Sequence, residues 1–200
     1  MAALLQALPT VTPLHRTIIQ TCMQRCAEGK TALLDTLECL MDLEGVPMHG
    51  PVHHFIVPAA LLTAAAKQSG LAAEILEQKL HTASQRAEKV LPGFCGLWAC
   101  CGAALGCGIF ASVWLEANPH QEQHWGTVNL FTAACLAHVA SVGGPRCCKR
   151  TSYLALDKAA RLAPERLGVG VGVFSKPACR RNESNKACRK EGCPFYPVKT

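Results

Sequence analysis

Thirteen cysteines in 200 residues constrain this chain more than any other feature of its sequence. An odd number cannot pair completely within one chain, so a fold stapled throughout by disulfides is ruled out. A secreted disulfide protein also needs an export signal, and Met1 to Pro13 does not read as one. That stretch has no charged side chain, Pro9 interrupts its apolar run, and the first basic residue, Arg16, lies on the wrong side of it. The expectation is reduced thiols in a cytoplasmic setting, where clustered cysteines usually mean metal or redox chemistry.

Half of the residues are hydrophobic and 17% are charged, which supports a core and argues against global disorder. The length predicts one domain. It reads as an arm over 1–13, a helical core over 14–174 and a metal-binding segment over 175–200. Ala, Leu and Gly dominate while aromatics are only 6%, so helices can approach closely. The expected fold is all-α: a compact bundle of about six to seven helices with an irregular cysteine-bearing C-terminal segment. The net charge of +6 is spread along the chain, and a nucleic-acid footprint needs a cluster on one face.

Apolar spacing predicts helices over Leu14 to Ala27, Thr31 to Met41, Pro51 to Gln68 and Leu71 to Val90. In the last of these, Leu71, Ile75, Leu76, Leu80, Ala83, Ala87 and Val90 are expected to face inward. Further helices are predicted from Gln121 to Val142, and from a Thr151 or Ser152 cap to Leu162. Val169, Val171 and Val173 alternate with glycines and suggest a short extended segment. Leu91 to Leu115 carries no charge and is long enough to span a bilayer. Its glycines, Pro92 and four cysteines, with no one-sided basic excess at its flanks, predict instead a helix buried among helices and no membrane span.

From Ser175 onward there is no periodic apolar face, yet Cys179, Cys188 and Cys193 lie there, the last followed by Pro194. Metal binding can hold a segment that a core does not, and a Cys-Pro step recurs in iron–sulfur ligation. The spacing is neither that of a ferredoxin nor that of a zinc finger, which use short Cys knuckles. A fourth ligand would come from Cys95, Cys101, Cys147 or Cys148. The loop Gly143-Gly144-Pro145-Arg146-Cys147-Cys148-Lys149-Arg150 places vicinal thiols among cations that favour thiolate, ahead of a helix start whose amides can accept an anion. His49, His53 and His54 cluster at another helix start and can ligate metal or move protons. Cys22 and Cys26 read as structural, and Cys39, Cys107 and Cys135 as core. Arg180, Arg181, Lys186, Arg189 and Lys190 interleave the C-terminal thiols. Three readings stay open for them: a solvated face, a nucleic-acid patch, or charge compensation for a cluster.

Four stretches, in order, resemble a cysteine-rich family of unknown function found in methanogens and anaerobic bacteria. They are Met48–Leu62, Gly93–Ala104, Gly143–Arg150 and Asn185–Phe195, and the likeness spans roughly residues 15–197. The family's motifs match at His49, His53, His54, Cys95, Cys101, Arg146, Cys147, Cys148, Lys149, Cys179, Cys188 and Cys193. Cys100 departs from the pattern, where a small residue is more usual. The resemblance implies an anaerobic setting and metal binding, and a redox or methyltransferase-like partner protein, but no reaction.

The expectation is therefore an iron–sulfur centre, with zinc as the alternative. Cys179, Cys188 and Cys193 are its ligands, with Cys147, Cys148, Cys95 and Cys101 as further candidates. His49, His53, His54, Arg146 and Lys149 would line a pocket for a small or anionic substrate, with Gly143 and Gly144 offering backbone amides. The histidine motif and the Gly143 loop are expected to meet in that pocket, beside the metal. Two other readings are kept: a zinc-stabilised module whose basic tail binds an acidic partner or RNA, and a thiol-redox protein using Cys147 and Cys148.

Overall fold

The computed structural model describes residues 12–120 and 122–197, so the expected arm over 1–13 lies almost wholly outside the described residues. Among the described residues there are eight α-helices, one 3-10 turn and no strand. The helices are α1 (Pro13–Ala27), α2 (Leu33–Met41), α3 (His53–Ser69), α4 (Ala73–Glu88), α5 (Phe94–Leu97), α6 (Gly102–Trp114), α7 (Glu122–Val142) and α8 (Cys148–Leu167). The 3-10 turn, Lys190–Gly192, belongs to the irregular C-terminal segment. The number exceeds six to seven because α5 is a single turn.

The bundle is built around α3, which is buried from Phe55 to Ala66 without interruption. Its Ala-rich sequence shows little amphipathic contrast, as befits a helix covered on every side. α1, α2, α4, α6 and α8 surround it. The closest crossing is with α6, where glycines take the place of larger side chains. A Cβ on Gly106 would stand 2.9 Å from Pro58 Cδ and 3.0 Å from the His54 carbonyl. Pro58 has no N–H to offer that carbonyl, and the bare edge of α6 fits against the pair. One helical turn earlier, a Cβ on Gly102 would overlap the His54 ring itself.

Three expectations change. Leu91–Leu115 is not one helix. Gly93 and Ala99 both adopt positive φ, of 81° and 55°, which isolates α5 and leaves α6 to start at Gly102. Leu91, Leu97 and Trp98 are exposed. α8 starts earlier than a Thr or Ser cap would place it, because the Cys147 thiol takes the cap role and accepts from the Arg150 amide at 3.5 Å. It also continues through Pro164 to Leu167. In α4, Leu76, Leu80, Ala83 and Ala87 are buried but Ile75 is exposed, because the helix begins at Ala73 and its inward stripe is narrower than the apolar residues suggested.

By length and composition, α7 rather than Leu91–Leu115 is the helix among the described residues able to cross a membrane. Phe131, Cys135 and Val139 pack its inner face onto the bundle, while Trp125 and Leu130 are exposed. Cys107 and Cys135 are fully buried, as a core role requires, whereas Cys39 is only half-buried. Cys22 is buried as well, and burial pushes its thiol up to about 12.

The α3–α6 crossing makes a direct prediction. Gly106→Ala overpacks it and should cost about 1–3 kcal/mol, read as a lower urea midpoint at unchanged slope. Gly126 lies inside α7 with nothing within 4 Å of a Cβ. Gly126→Ala should therefore be neutral or stabilising by up to about 1 kcal/mol. Equal effects at the two sites would contradict the close crossing.

Candidate metal centre

The C-terminal segment has no apolar face of its own, so specific contacts set its course. Arg180 and Arg181 reach back to α2. Arg180 donates to Glu38 and to Asp42, both at 2.8 Å, and Arg181 donates to Glu38 at 2.7 Å and also pairs with Asp42. The Tyr153 hydroxyl donates to the same Glu38 carboxylate. Phe195 packs edge-on against Tyr153, with ring centroids 5.0 Å apart, and its carbonyl accepts from the Cys179 amide at 2.7 Å. Arg189 donates to the Val142 carbonyl at the end of α7. Three of the five interleaved cations are thus spent on holding the segment down.

This latch brings Cys179, Cys188 and Cys193 to the start of α8, where Cys147 joins them. The four thiols line one narrow cleft with about 20 Å³ of open space, together with Lys149, Arg150 and Asn185. Backbone amides point at the sulfurs. Arg181 N–H donates to Cys179 Sγ and Lys190 N–H to Cys188 Sγ, both at 3.4 Å, and Arg150 N–H to Cys147 Sγ at 3.5 Å. The Asn185 side-chain amide adds a second donor to Cys147 Sγ at 3.5 Å. A neutral thiol is a weak acceptor and a thiolate a strong one, so these donors favour the thiolate form, against the burial that raises the Cys179 thiol. Among the described residues, no three His, Cys, Asp or Glu side chains stand close enough to share one metal ion. The four cysteines line one cleft without converging on a point.

Lys149 and Arg150 are buried beside this cleft, 2% and 4% exposed. Lys149 Nζ donates to the Met41 carbonyl at 3.3 Å, and Arg150 Nη2 to the carbonyls of Gly143 and Pro145 at 2.7 and 2.6 Å. Arg150 Nε is buried with no partner. Neither cation makes an ion pair with a described carboxylate. Burial, and then the nearby Arg181, bring Lys149 down to about 8.

A second cleft, of about 140 Å³, adjoins the first. His53, His54, Cys95, Cys101, Arg146 and Cys148 line it. It gathers residues from the first turns of α3, α6 and α8. The His53 ring donates from Nδ1 to the Gly50 carbonyl at 3.0 Å, which leaves Nε2 as a lone pair, buried and without a partner. His54 is held the same way, through Nδ1 on the Val90 carbonyl at 3.2 Å. Burial, followed by the Lys149 charge, brings His53 down to about 3, and burial lowers His54 too, so both rings are neutral at physiological pH. Burial raises the thiols of Cys148 and Cys179.

The histidine motif and the Gly143 loop do converge: His53 and His54 share the second cleft with Arg146 and Cys148, while Cys147, Lys149 and Arg150 of the same loop line the first. Cys147 faces the first and Cys148 the second. His49 stands at the partition: its Nδ1 accepts from the Cys148 amide at 3.4 Å, and its Nε2 donates to Asn185 Oδ1 at 3.2 Å. Lys149 lines the thiol cleft, and its charge still reaches His53 in the second. Gly143 and Gly144 lie in neither; they line a shallow groove alongside, with Cys95, Cys101 and Arg146. Their loop carbonyls, not their amides, hold the adjacent cation Arg150. Asn185 and Tyr153 were missed from the sequence. Asn185 lies inside the Asn185–Phe195 stretch but reads as an ordinary turn residue, and Tyr153 gives no signal beyond a helical position.

The latch also predicts a pH dependence. Burial alone would raise the Glu38 carboxyl, but hydrogen bonds from Tyr153, Arg180 and Arg181 outweigh it and hold the acid below its usual range. A folded-state pKa below the unfolded one means stability fully present above the unfolded carboxylate range and lost as pH falls through the folded value. Glu38→Gln should cost about 3 kcal/mol at pH 7. The gap from wild type should narrow as pH falls below about 4, measured by urea unfolding at both values. A gap that stays constant with pH would contradict the latch.

No curated protein and no solved structure matches the chain. A family description does, over residues 18–196, a range that takes in both clefts and the whole helical bundle from the first turns of α1: the chain belongs to the family of unknown function DUF5714.

Proposed function

We propose that the chain is a metalloprotein that holds an iron–sulfur cluster on Cys147, Cys179, Cys188 and Cys193, and that it serves anaerobic metabolism as a redox enzyme or accessory factor. The observation that carries this reading is the set of four thiols lining one cleft, with amide donors on three of the sulfurs and no carboxylate or imidazole among the ligands. Among the described residues no three donors stand close enough to share one ion, and zinc, whose four sulfurs sit within roughly 4 Å of one another, demands that closeness more than a cluster does.

Charge supports the same choice. Two buried cations without carboxylate partners beside the positive end of a helix are unfavourable. Thiolates around a cluster supply the negative charge that Lys149 and Arg150 lack, and the amide donors and nearby cations would raise its potential. In the thiol-redox reading Cys147 and Cys148 act together, but they line different clefts. When bound, a cluster supplies one-electron chemistry; the chain's residues fix its position, shield it and set its charge balance.

Anaerobically purified protein should contain iron and acid-labile sulfide, and show a broad visible band that bleaches in air. Cys179→Ser, Cys188→Ser and Cys193→Ser should each lower the metal content, while Cys39→Ser and Cys135→Ser should not. Stoichiometric zinc without sulfide would contradict this reading and favour the zinc-stabilised module.

A further inference from the structure

The second cleft is not needed by the ligand set just described, yet it concentrates soft donors. Cys95, Cys101 and Cys148 line it with the imidazoles of His53 and His54. Cys101 is the cap residue of α6 and Cys148 the first residue of α8, so both stand at helix N-termini. Both rings carry their proton on Nδ1, tied to a backbone carbonyl, which turns Nε2 into the free lone pair. This is the second-shell arrangement of metal-bound histidine. His53 Nε2 is buried and unpartnered, a state that costs about 1–3 kcal/mol unless something binds there. Gly102 carries no side chain where one would overlap the His54 ring, so the wall of the cleft depends on it.

Here too no three donors share a point, and the cleft is larger than its neighbour. We infer that it holds a second iron–sulfur centre, ligated by Cys95, Cys101 and Cys148 with His53 Nε2 as the nitrogen donor. The inference rests on the iron–sulfur reading of the first cleft for the class of metal. The two centres would be joined through the covalent Cys147–Cys148 step and the His49–Asn185 bridge, which runs from the Cys148 amide to Cys147 Sγ. Adjacent centres so connected suit electron passage between a partner protein and a substrate.

The test is iron and sulfide per chain in full-length protein purified anaerobically, with nitrogen hyperfine coupling measured on the reduced sample by pulsed EPR. Cys95→Ser, Cys101→Ser and Cys193→Ser should each remove about half of the iron, and Cys101→Ser/Cys193→Ser nearly all of it. Cys95 sits on α5, none of whose residues is buried, so its substitution leaves the core intact. His53→Gln should abolish the nitrogen coupling, and Cys193→Ser should keep it. Full iron in both Cys95→Ser and Cys101→Ser, or a wild type without nitrogen coupling, overturns the second centre and leaves the first standing. Iron lost in Cys95→Ser and Cys101→Ser but untouched in Cys193→Ser overturns the first and keeps the second. A wild type without iron overturns both.

Discussion

Two positive side chains buried at the start of α8 set the terms for everything around them. Lys149 and Arg150 sit where the helix already presents its positive end, and neither meets a described carboxylate. Backbone carbonyls take part of the charge: Met41 for Lys149, Gly143 and Pro145 for Arg150. Carbonyl dipoles do not neutralise an ion, and the four thiols that complete this corner are the groups able to bring negative charge to it. The acids of α2 are committed elsewhere, since Glu38 and Asp42 bind Arg180 and Arg181 and so hold the thiol-bearing segment in place. Fold and site are coupled through that arrangement: the latch that fixes the C-terminal segment also brings Cys179, Cys188 and Cys193 to the cleft beside the buried cations.

The other half of the site depends on how closely α3 and α6 approach. Gly102 and Gly106 let α6 run against His54 and Pro58, which places Cys101 at the mouth of the cleft beside the two histidines. The same burial keeps His53 neutral and its ring fixed on Gly50. A central helix with no solvent-facing side can hold an imidazole in one orientation, and a surface loop would do so less well.

Much of this was legible in the residues. Helical spacing located α1, α2, α3 and α7 to within a few positions, and the lack of any apolar face after Ser175 marked the segment that needs another anchor. The glycine loop and the histidine triplet were visible as chemistry outside regular structure. What sequence could not supply was the partner of each group. Nothing local says that Arg181 bonds Glu38, 143 positions away, or that Asn185 reaches Cys147. Cys147 as a helix cap was hidden because thiols rarely take that role, so the sequence reading starts α8 four or five residues late. The break at Ala99 turned on one residue adopting a positive φ that its type disfavours, and no apolar pattern reports that. Vicinal Cys147 and Cys148 looked like one functional unit, although the start of a helix sends successive side chains in different directions.

The central claim is that thiolates from four separate positions enclose a cluster and not a single ion. Iron K-edge X-ray absorption on anaerobically purified protein tests this directly. The account predicts a first shell dominated by sulfur, with a second shell from neighbouring iron. An iron-free protein, or iron surrounded by oxygen and nitrogen with no iron neighbour, would contradict it.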